Sequence, residues 1–382
     1  MATIITSDKW EYASLGDFVE ITTGKKDVNE GNPKGKYPFF TFAKEYTFAD
    51  TYSFDDEVIL ISGNGAGVGY CHYYKGKFEA YQRTYVIRHF NGVDVNFLLQ
   101  YLLYALRREI LSQKQDSATP YIKLGLLKNF QIPKLKNTEQ IKIAKVLSTW
   151  DTAIERAGQL LNTKTRRFSW LIKTLTIPSS NARGWKEIEL GEVGDISKGK
   201  GITKEDLMET GTPCIRYADL YTQYDFVIRE IKAFVSQRAA SLSCPLQKGD
   251  ILFAGSGETA EDIGKCAVYL GNYPHAVVGG DTLILRSSGV DPNYLTYALN
   301  SPAANKQKSI LGHGFSVVHL YGKDLKSVRL WLPPDDQQKQ IAKTLNAAKR
   351  EIDLLKQLSV EYSKQKRGLM QRLLTGKVRV RV

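Results

Sequence analysis

Two short stretches carry residue types suited to group-transfer chemistry. Phe253-Ala-Gly255-Ser-Gly257 fits the F-x-G-x-G pattern of S-adenosylmethionine sites, where glycines let backbone approach a ligand. Asp291-Pro-Asn-Tyr294 is one proline short of the D-P-P-Y signature of adenine methyltransferases. About 35 residues separate them, little room for the strand–helix units of a nucleotide-binding sheet. The same residues also read as a glycine-rich turn and a helix start, with Asp291 as N-cap and Pro292 at the first helical position.

Other chemical patterns are weaker. Gly194-Asp-Ile-Ser-Lys-Gly199-Lys200-Gly201 has the outline of a phosphate-binding loop, but Gly201 stands where Ser or Thr would bind magnesium. The alternating glycines Gly63 to Gly69 precede aromatic residues rather than a helix. Asp225, Glu230 and Lys232 can be forced into a nuclease pattern of a kind that arises by chance. Five histidines (His72, His89, His275, His313, His319) form no spaced ligand set, and the four cysteines contain no C-x-x-C pair. No metal site, disulfide framework or catalytic residue is therefore assigned, and a reducing cytoplasm is the expected location.

What remains is chemistry for binding nucleic acid. Tyr81-Gln82-Arg83-Thr84 mixes an aromatic with groups able to read base edges, Gln for adenine and Arg for guanine. Lys25, Lys26, Lys198, Lys200 and Arg216 suit backbone phosphates, and the polar loop around His313 and Ser316 suits a groove. A solvated surface role stands beside each of these assignments.

Two long amphipathic helices must position these groups. From Thr138 to Thr176, one heptad position collects Ile143, Trp150, Ala157, Lys164 and Leu171; the other collects Leu147, Ile154, Leu161, Phe168 and Leu175. That is one continuous apolar seam. It returns 198 residues later in Ile341, Leu345, Ala348, Ile352, Leu355, Tyr362, Leu369 and Leu373. Two helices with one apolar face each most simply bury those faces on each other, and both seams are assigned to the helix pair and its subunit interface.

The repeat extends beyond the helices. Trp10, Leu15-Gly16, Ile21 and Gly24-Lys25 recur, at a constant offset of 175, as Trp185, Leu190-Gly191, Ile196 and Gly199-Lys200. Each copy opens with W-x4-L-G, runs through a β-rich body with one internal helix (Asp94 to Ser112; Asp291 to Leu299), and closes in a long helix. The bodies align poorly, which implies two related tasks with different targets. The expected division is body 1–137, helix 138–176, linker 177–184, body 185–334, helix 335–377 and tail 378–382.

A net charge of +13 invites a nucleic-acid partner, but its distribution tempers that. Residues 1–137 hold 17 basic against 15 acidic residues and 185–334 hold 16 against 17; the helical stretches hold 7 against 3 and 10 against 5. Exposed Lys142, Arg166, Arg167, Lys364 and Arg367 suit an acidic partner surface or DNA, or simply keep the helices soluble. No run of residues is apolar enough to span a membrane, and no signal peptide is evident.

With its repeats in view, the chain resembles the specificity subunit of type I restriction–modification systems. The tandem W-x4-L-G openings carry the likeness. So do the helix starts Pro133…Glu139-Gln140…Ile143-Ala144…Leu147 and Pro333…Gln337-Gln338…Ile341-Ala342…Leu345, and the stretch from Gln365 to Lys377. One departure is Phe168 to Thr176, which lacks the Leu-Met-Gln form of the second helix end.

The resemblance implies an α+β fold: two target-recognition domains, each followed by a long helix, the helices pairing as an antiparallel coiled coil with internal pseudo-twofold symmetry. It implies a subunit without catalytic residues or cofactor of its own. Such a subunit reads a bipartite, asymmetric site in double-stranded DNA, one half-site per domain, with the helices as a ruler. It recruits two adenine-methylating modification subunits and, optionally, ATP-driven restriction (motor–nuclease) subunits, where S-adenosylmethionine, ATP and magnesium would act. Two other readings stay in play: a self-contained DNA adenine methyltransferase, and a coiled-coil adaptor whose bodies bind protein.

Overall fold

The computed structural model describes residues 10–65, 67–112, 120–314 and 316–380. The chain divides into two compact units, one formed by 1–158 with 357–382 and the other by 159–356. The division falls inside the two long helices, not at the ends expected from sequence. Each unit therefore holds one body and one half of each helix.

In the first unit a six-stranded sheet runs in the order Glu20–Thr23, Thr84–Arg88, Phe54–Ser62, Cys71–Ala80, Tyr37–Phe40, Thr47–Ala49. All pairings are antiparallel except Tyr37–Phe40 beside Cys71–Ala80. The apolar run Val58–Ile61 is buried throughout because both faces are covered. Ile59, Ile61 and Ile87 join the core with helix Val95–Ser112; Val58, Leu60 and Val86 pack on Phe40 and Phe78.

The second unit repeats this centre with Gly194–Lys198, Thr282–Ser287, Ile251–Ala254 and Cys266–Tyr269, extended by Val227–Ile228. Again both faces are covered: Ile251, Phe253, Leu283 and Leu285 on one side, Leu252, Ala254 and Ile284 on the other. A second small sheet, absent from the first unit's described residues, joins Leu207–Met208, Ala233–Val235, Thr212–Ile215, Val277–Val278 and Cys244–Pro245.

The long helices span Asn137–Leu175 and Asp335–Leu373. None of the eleven assigned seam residues Ile143, Leu147, Trp150, Ile154, Leu161, Ile341, Leu345, Ile352, Leu355, Tyr362 and Leu369 is exposed. In the first unit, Trp150 packs edge-on to Tyr362 with centroids 5.7 Å apart, and Asp151 pairs with Lys366 at 2.5 Å. Ile143 and Leu147 share a core with Leu369 and Leu373, so the two halves run antiparallel. In the second unit, Phe168, Ile172, Leu345 and Ile352 share a cluster, and the seam's one lysine, Lys164, meets Glu351 at 2.6 Å. Among the described residues, no helix is long and apolar enough to cross a membrane.

One buried side chain fixes each body to its helix. Gln140 lies in the first turns of the first long helix, 2% exposed. Its Oε1 accepts the Asp94 N–H at 2.8 Å, and its Nε2 donates to the carbonyls of Leu135 at 2.9 Å and Gly92 at 3.2 Å. Gln338 does the same in the second unit: the Asp291 N–H at 2.9 Å and the Pro333 carbonyl at 2.9 Å. Asp94 and Asp291 then cap the body helices, accepting from Phe97 N and Tyr294 N at 2.8 Å each. Replacing Gln140 or Gln338 by Leu leaves buried backbone groups without partners. Each should lower stability by about 2–4 kcal/mol in urea denaturation, and a loss below about 0.5 kcal/mol would show the amides are dispensable.

Lys308 is wholly buried and donates from Nζ to the Gly264 carbonyl at 2.6 Å. Burial pulls its pKa below the ordinary lysine value, partly opposed by nearby Cys266. The unfolded chain then binds this proton more tightly than the folded one. Stability should accordingly rise with pH from the lowered folded pKa up to the ordinary value near ~10.4. Denaturation between about pH 7 and 10 should show a smaller rise in Lys308→Met than in the unaltered chain; equal slopes would exclude Lys308 as its source.

Candidate nucleic-acid interface

In each unit five segments meet at one end of the central strands, joined by the same backbone hydrogen bonds. In the first, Gly24 N donates to Thr84 O, Tyr81 N to Phe40 O, Gln82 N to Lys26 O, Gly63 N to Arg83 O and Ile122 N to Gly63 O, at 2.8–3.2 Å. In the second, Gly199 N donates to Thr282 O, Gly279 N to Ile215 O, Gly280 N to Gly201 O, Gly255 N to Asp281 O and Leu320 N to Gly255 O, at 2.8–2.9 Å. The isolated pair Asn64–Tyr121 is matched by Ser256–His319. The recurring Gly-Lys has a steric cause. A Cβ on Gly24 would lie 1.9 Å from Ala80 O, and one on Gly199 would lie 2.0 Å from Gly279 O.

This frame sorts the side chains assigned from sequence. Lys25, Gln82 and Arg83 share one exposed rim in the first unit. Gln82 Nε2 donates to Asp27 Oδ2 at 3.0 Å, while Lys25 and Arg83 make no side-chain ion pair among the described residues. In the second unit Lys198 and Lys200 are exposed, and Lys198 pairs with Asp281 at 2.8 Å. His313 is exposed with Nε2 3.3 Å from Asp324, its backbone bridging His319 in both directions at 2.7 and 2.9 Å. Ser316 beside it is exposed; Phe315 lies outside the described residues.

Three assigned side chains already hold partners within the fold, and one of them, Thr84, needs correction. Thr84 is 1% exposed, its hydroxyl donating to Phe40 O at 3.3 Å, and Thr282 occupies the matching buried place. Both hold the frame through their carbonyls, which accept from Gly24 N and Gly199 N, and offer DNA no surface. Lys26 turns inward, donating to Thr51 Oγ1 at 2.7 Å and lying 3.8 Å from wholly buried Glu79, whose charge it offsets. Arg216 clasps Asp219 through Nη2 at 2.9 Å and Nε at 3.3 Å; that carboxylate raises its pKa and holds it as a helix-start brace.

The methyltransferase-like residues are occupied by folding. Phe253 is a wholly buried strand residue, and Asp291 is the N-cap with Pro292 at the helix start. Tyr294 is wholly buried, its hydroxyl donating to Trp331 O at 2.6 Å. These residues do not fit an S-adenosylmethionine site. Gly194 to Lys198 is a strand rather than a phosphate cradle, and Asp225 is tied to Lys265 and Lys349 at 3.2 and 3.3 Å.

Sequence reasoning missed Asn64, Tyr121, Ser256, Asp281 and His319. Chain lengths between frame points explain why. From Phe40 to Gly63 is 23 residues, but from Ile215 to Gly255 is 40, so the constant offset of 175 is lost before these positions. It settles again at 198 from Tyr81 and Gly279 onward, the offset of the long helices. Extending that second offset backward from the helices would have reached Thr84–Thr282 and Arg83–Asp281.

Comparison with known proteins agrees. The family model for the type I restriction modification DNA specificity domain matches residues 7–163 and 182–361, one match per copy. A type I restriction enzyme MjaVIII specificity subunit of Methanocaldococcus jannaschii is 23% identical over 98% of this chain and 94% of its own length. The EcoDI specificity subunit of Escherichia coli is 30% identical over 46% of this chain, a match spanning 40% of that relative. Among solved structures, the type I restriction-modification S subunit from M. genitalium superposes with a TM-score of 0.65 at 17% identity, covering 98% of this chain and 99% of that one. A chain from a study of complex assembly and conformational transition of the type I system gives 0.58 at 14%, covering 98% and 100%. With both copies matched and the duplicated frame beneath them, this chain belongs to the family of type I restriction–modification specificity subunits.

Proposed function

We propose that this subunit reads a bipartite, asymmetric site in double-stranded DNA, one half-site per unit, and positions modification and restriction subunits on it. The observation that carries this is the duplicated frame: ten matching backbone hydrogen bonds hold two loop clusters whose exposed side chains differ. Equal scaffolds with unequal tips suit two unlike half-sites. The lysines Lys25 and Lys200, at matching places, suit phosphate contacts whose strength falls with salt.

The subunit itself is non-catalytic. S-adenosylmethionine, ATP and magnesium belong to the partner subunits, two of which methylate adenine. Outward apolar side chains on the long helices support docking there: Trp170 is 59% exposed, Leu354 55% and Val360 60%. A self-contained methyltransferase is not favoured, since its motif residues are core and cap. A cytoplasmic location follows from the proposed partners.

Methylation mapping in cells expressing the modification subunit, with and without this chain, tests the reading. A gapped, asymmetric methyladenine motif should appear only with the chain. A motif without a gap, or none despite an assembled complex, would overturn it.

The length of the long helices is expected to set the unread gap. At 39 residues each they extend roughly 58 Å. Inserting one heptad in both adds ~10.5 Å, so the gap should lengthen by about three base pairs at ~3.4 Å each. An unchanged gap in the mapped motif would show that DNA alone sets the spacing.

A further inference from the structure

Because the two frames close through the same hydrogen bonds, one position in each can be compared directly. It is the residue whose carbonyl accepts the glycine N–H, Gly63 to Arg83 at 2.9 Å and Gly255 to Asp281 at 2.8 Å. Each precedes a buried threonine, Thr84 or Thr282, that fixes the strand behind it. The place in the frame is therefore common, although only Asp281 has a left-handed backbone, and the side chains are opposite in charge.

Arg83 is exposed and makes no ion pair among the described residues. Asp281 lies in the left-handed region at φ 56°, which Asp tolerates better than most residues. A non-glycine residue held there is typically fixed by its surroundings and is concentrated at binding sites. Its carboxylate is about half exposed and lies 2.8 Å from Lys198, itself 60% exposed. The matching residue in the first unit is Thr23, so the extra lysine accompanies the acid. Such an exposed pair is weak and exchangeable, and the lysine shields the acid from DNA phosphates.

Resting on the proposed division into half-sites, we propose that Arg83 and Asp281 are the base-discriminating side chains at equivalent positions and use opposite chemistry. Arg83 donates to guanine O6 and N7 in one half-site. Asp281 accepts from an exocyclic amino group, cytosine N4 or adenine N6, in the other.

Selection of the full 382-residue chain on randomised duplexes, followed by affinities for single base changes, tests this. Arg83→Ala should lower the preference for one G·C pair by about tenfold or more and leave the other half-site unchanged. Asp281→Gly, which suits the left-handed backbone, should relax one pair in the opposite half-site by a similar factor. Asp281→Asn keeps the side chain's shape and should change which base is preferred there, so a folding defect in the glycine variant would not decide the matter. Uniform weakening across all sequences, with a salt slope lower by about one, would assign phosphate contacts instead and overturn the proposal. So would an A·T pair at the Arg83-sensitive position, or unaltered preferences in all variants. If the unaltered chain selects no sequence, the half-site reading itself fails, and this proposal with it.

Discussion

In each unit one buried amide joins the start of the body helix to the start of the long helix. Gln140 and Gln338 each accept the N–H of the body helix's capping residue and donate to a carbonyl just before the long helix. A carboxylate could accept but not donate, and a leucine could do neither, so only an amide satisfies both neighbours at once. Its burial makes the arrangement rigid, because in that setting an unpaired backbone group is costly. The start of the body helix is thereby held to the start of the long helix, and the Gln100–Asp151 and Tyr297–Asn346 hydrogen bonds at 2.8 and 2.9 Å join the same helices further along. The sheet follows because its inner face packs on that body helix.

The frame and the loops divide the polar residues between them. Thr84, Lys26 and Arg216 looked like DNA contacts because their types suit DNA. Each in fact meets a demand made by folding: a carbonyl for Thr84, a buried carboxylate for Lys26, a helix start for Arg216. Fixing the strand ends with buried groups lets residues one position away, such as Arg83 and Asp281, vary in charge without disturbing the core. Thr84 beside Arg83 and Thr282 beside Asp281 are the plainest instance.

Periodicity made the helices legible. A seventh-residue seam has one structural meaning, and its assigned members are all covered. The W-x4-L-G openings were legible as a repeat, and Leu15 and Leu190 prove wholly buried. Asp291-Pro-Asn-Tyr was legible as a capped helix start because the cap depends only on local sequence. Of the two proposed base-reading positions, Arg83 was legible by residue type, but its pairing with Asp281 was not. That pairing depends on which loops converge, and the longer stretch between Ile215 and Gly255 hides that convergence from the offset of 175. The inward turn of Lys26 was equally hidden, since Glu79 lies 53 residues away.

The two units are not built alike in chain terms. The second is continuous, residues 159–356, while the first joins 1–158 to 357–382. Leu373 and Leu374 complete the first core, and Arg379 clasps buried Glu139 through Nε and Nη2 at 2.6 and 2.7 Å. Closing so long a loop costs little more than closing a short one, since each doubling adds only about 0.6 kcal/mol. The constraint is therefore on order rather than stability: contacts of such sequence separation form slowly, and the first core waits for the chain's last turns. It also fixes what can be exchanged. A body together with the helix that follows it is not a unit, because half of that helix belongs to the other core. The tips are different: Lys25, Gln82 and Arg83 in one unit, and Lys198, Lys200 and Asp281 in the other, belong to neither core, so they can change while both cores stay whole.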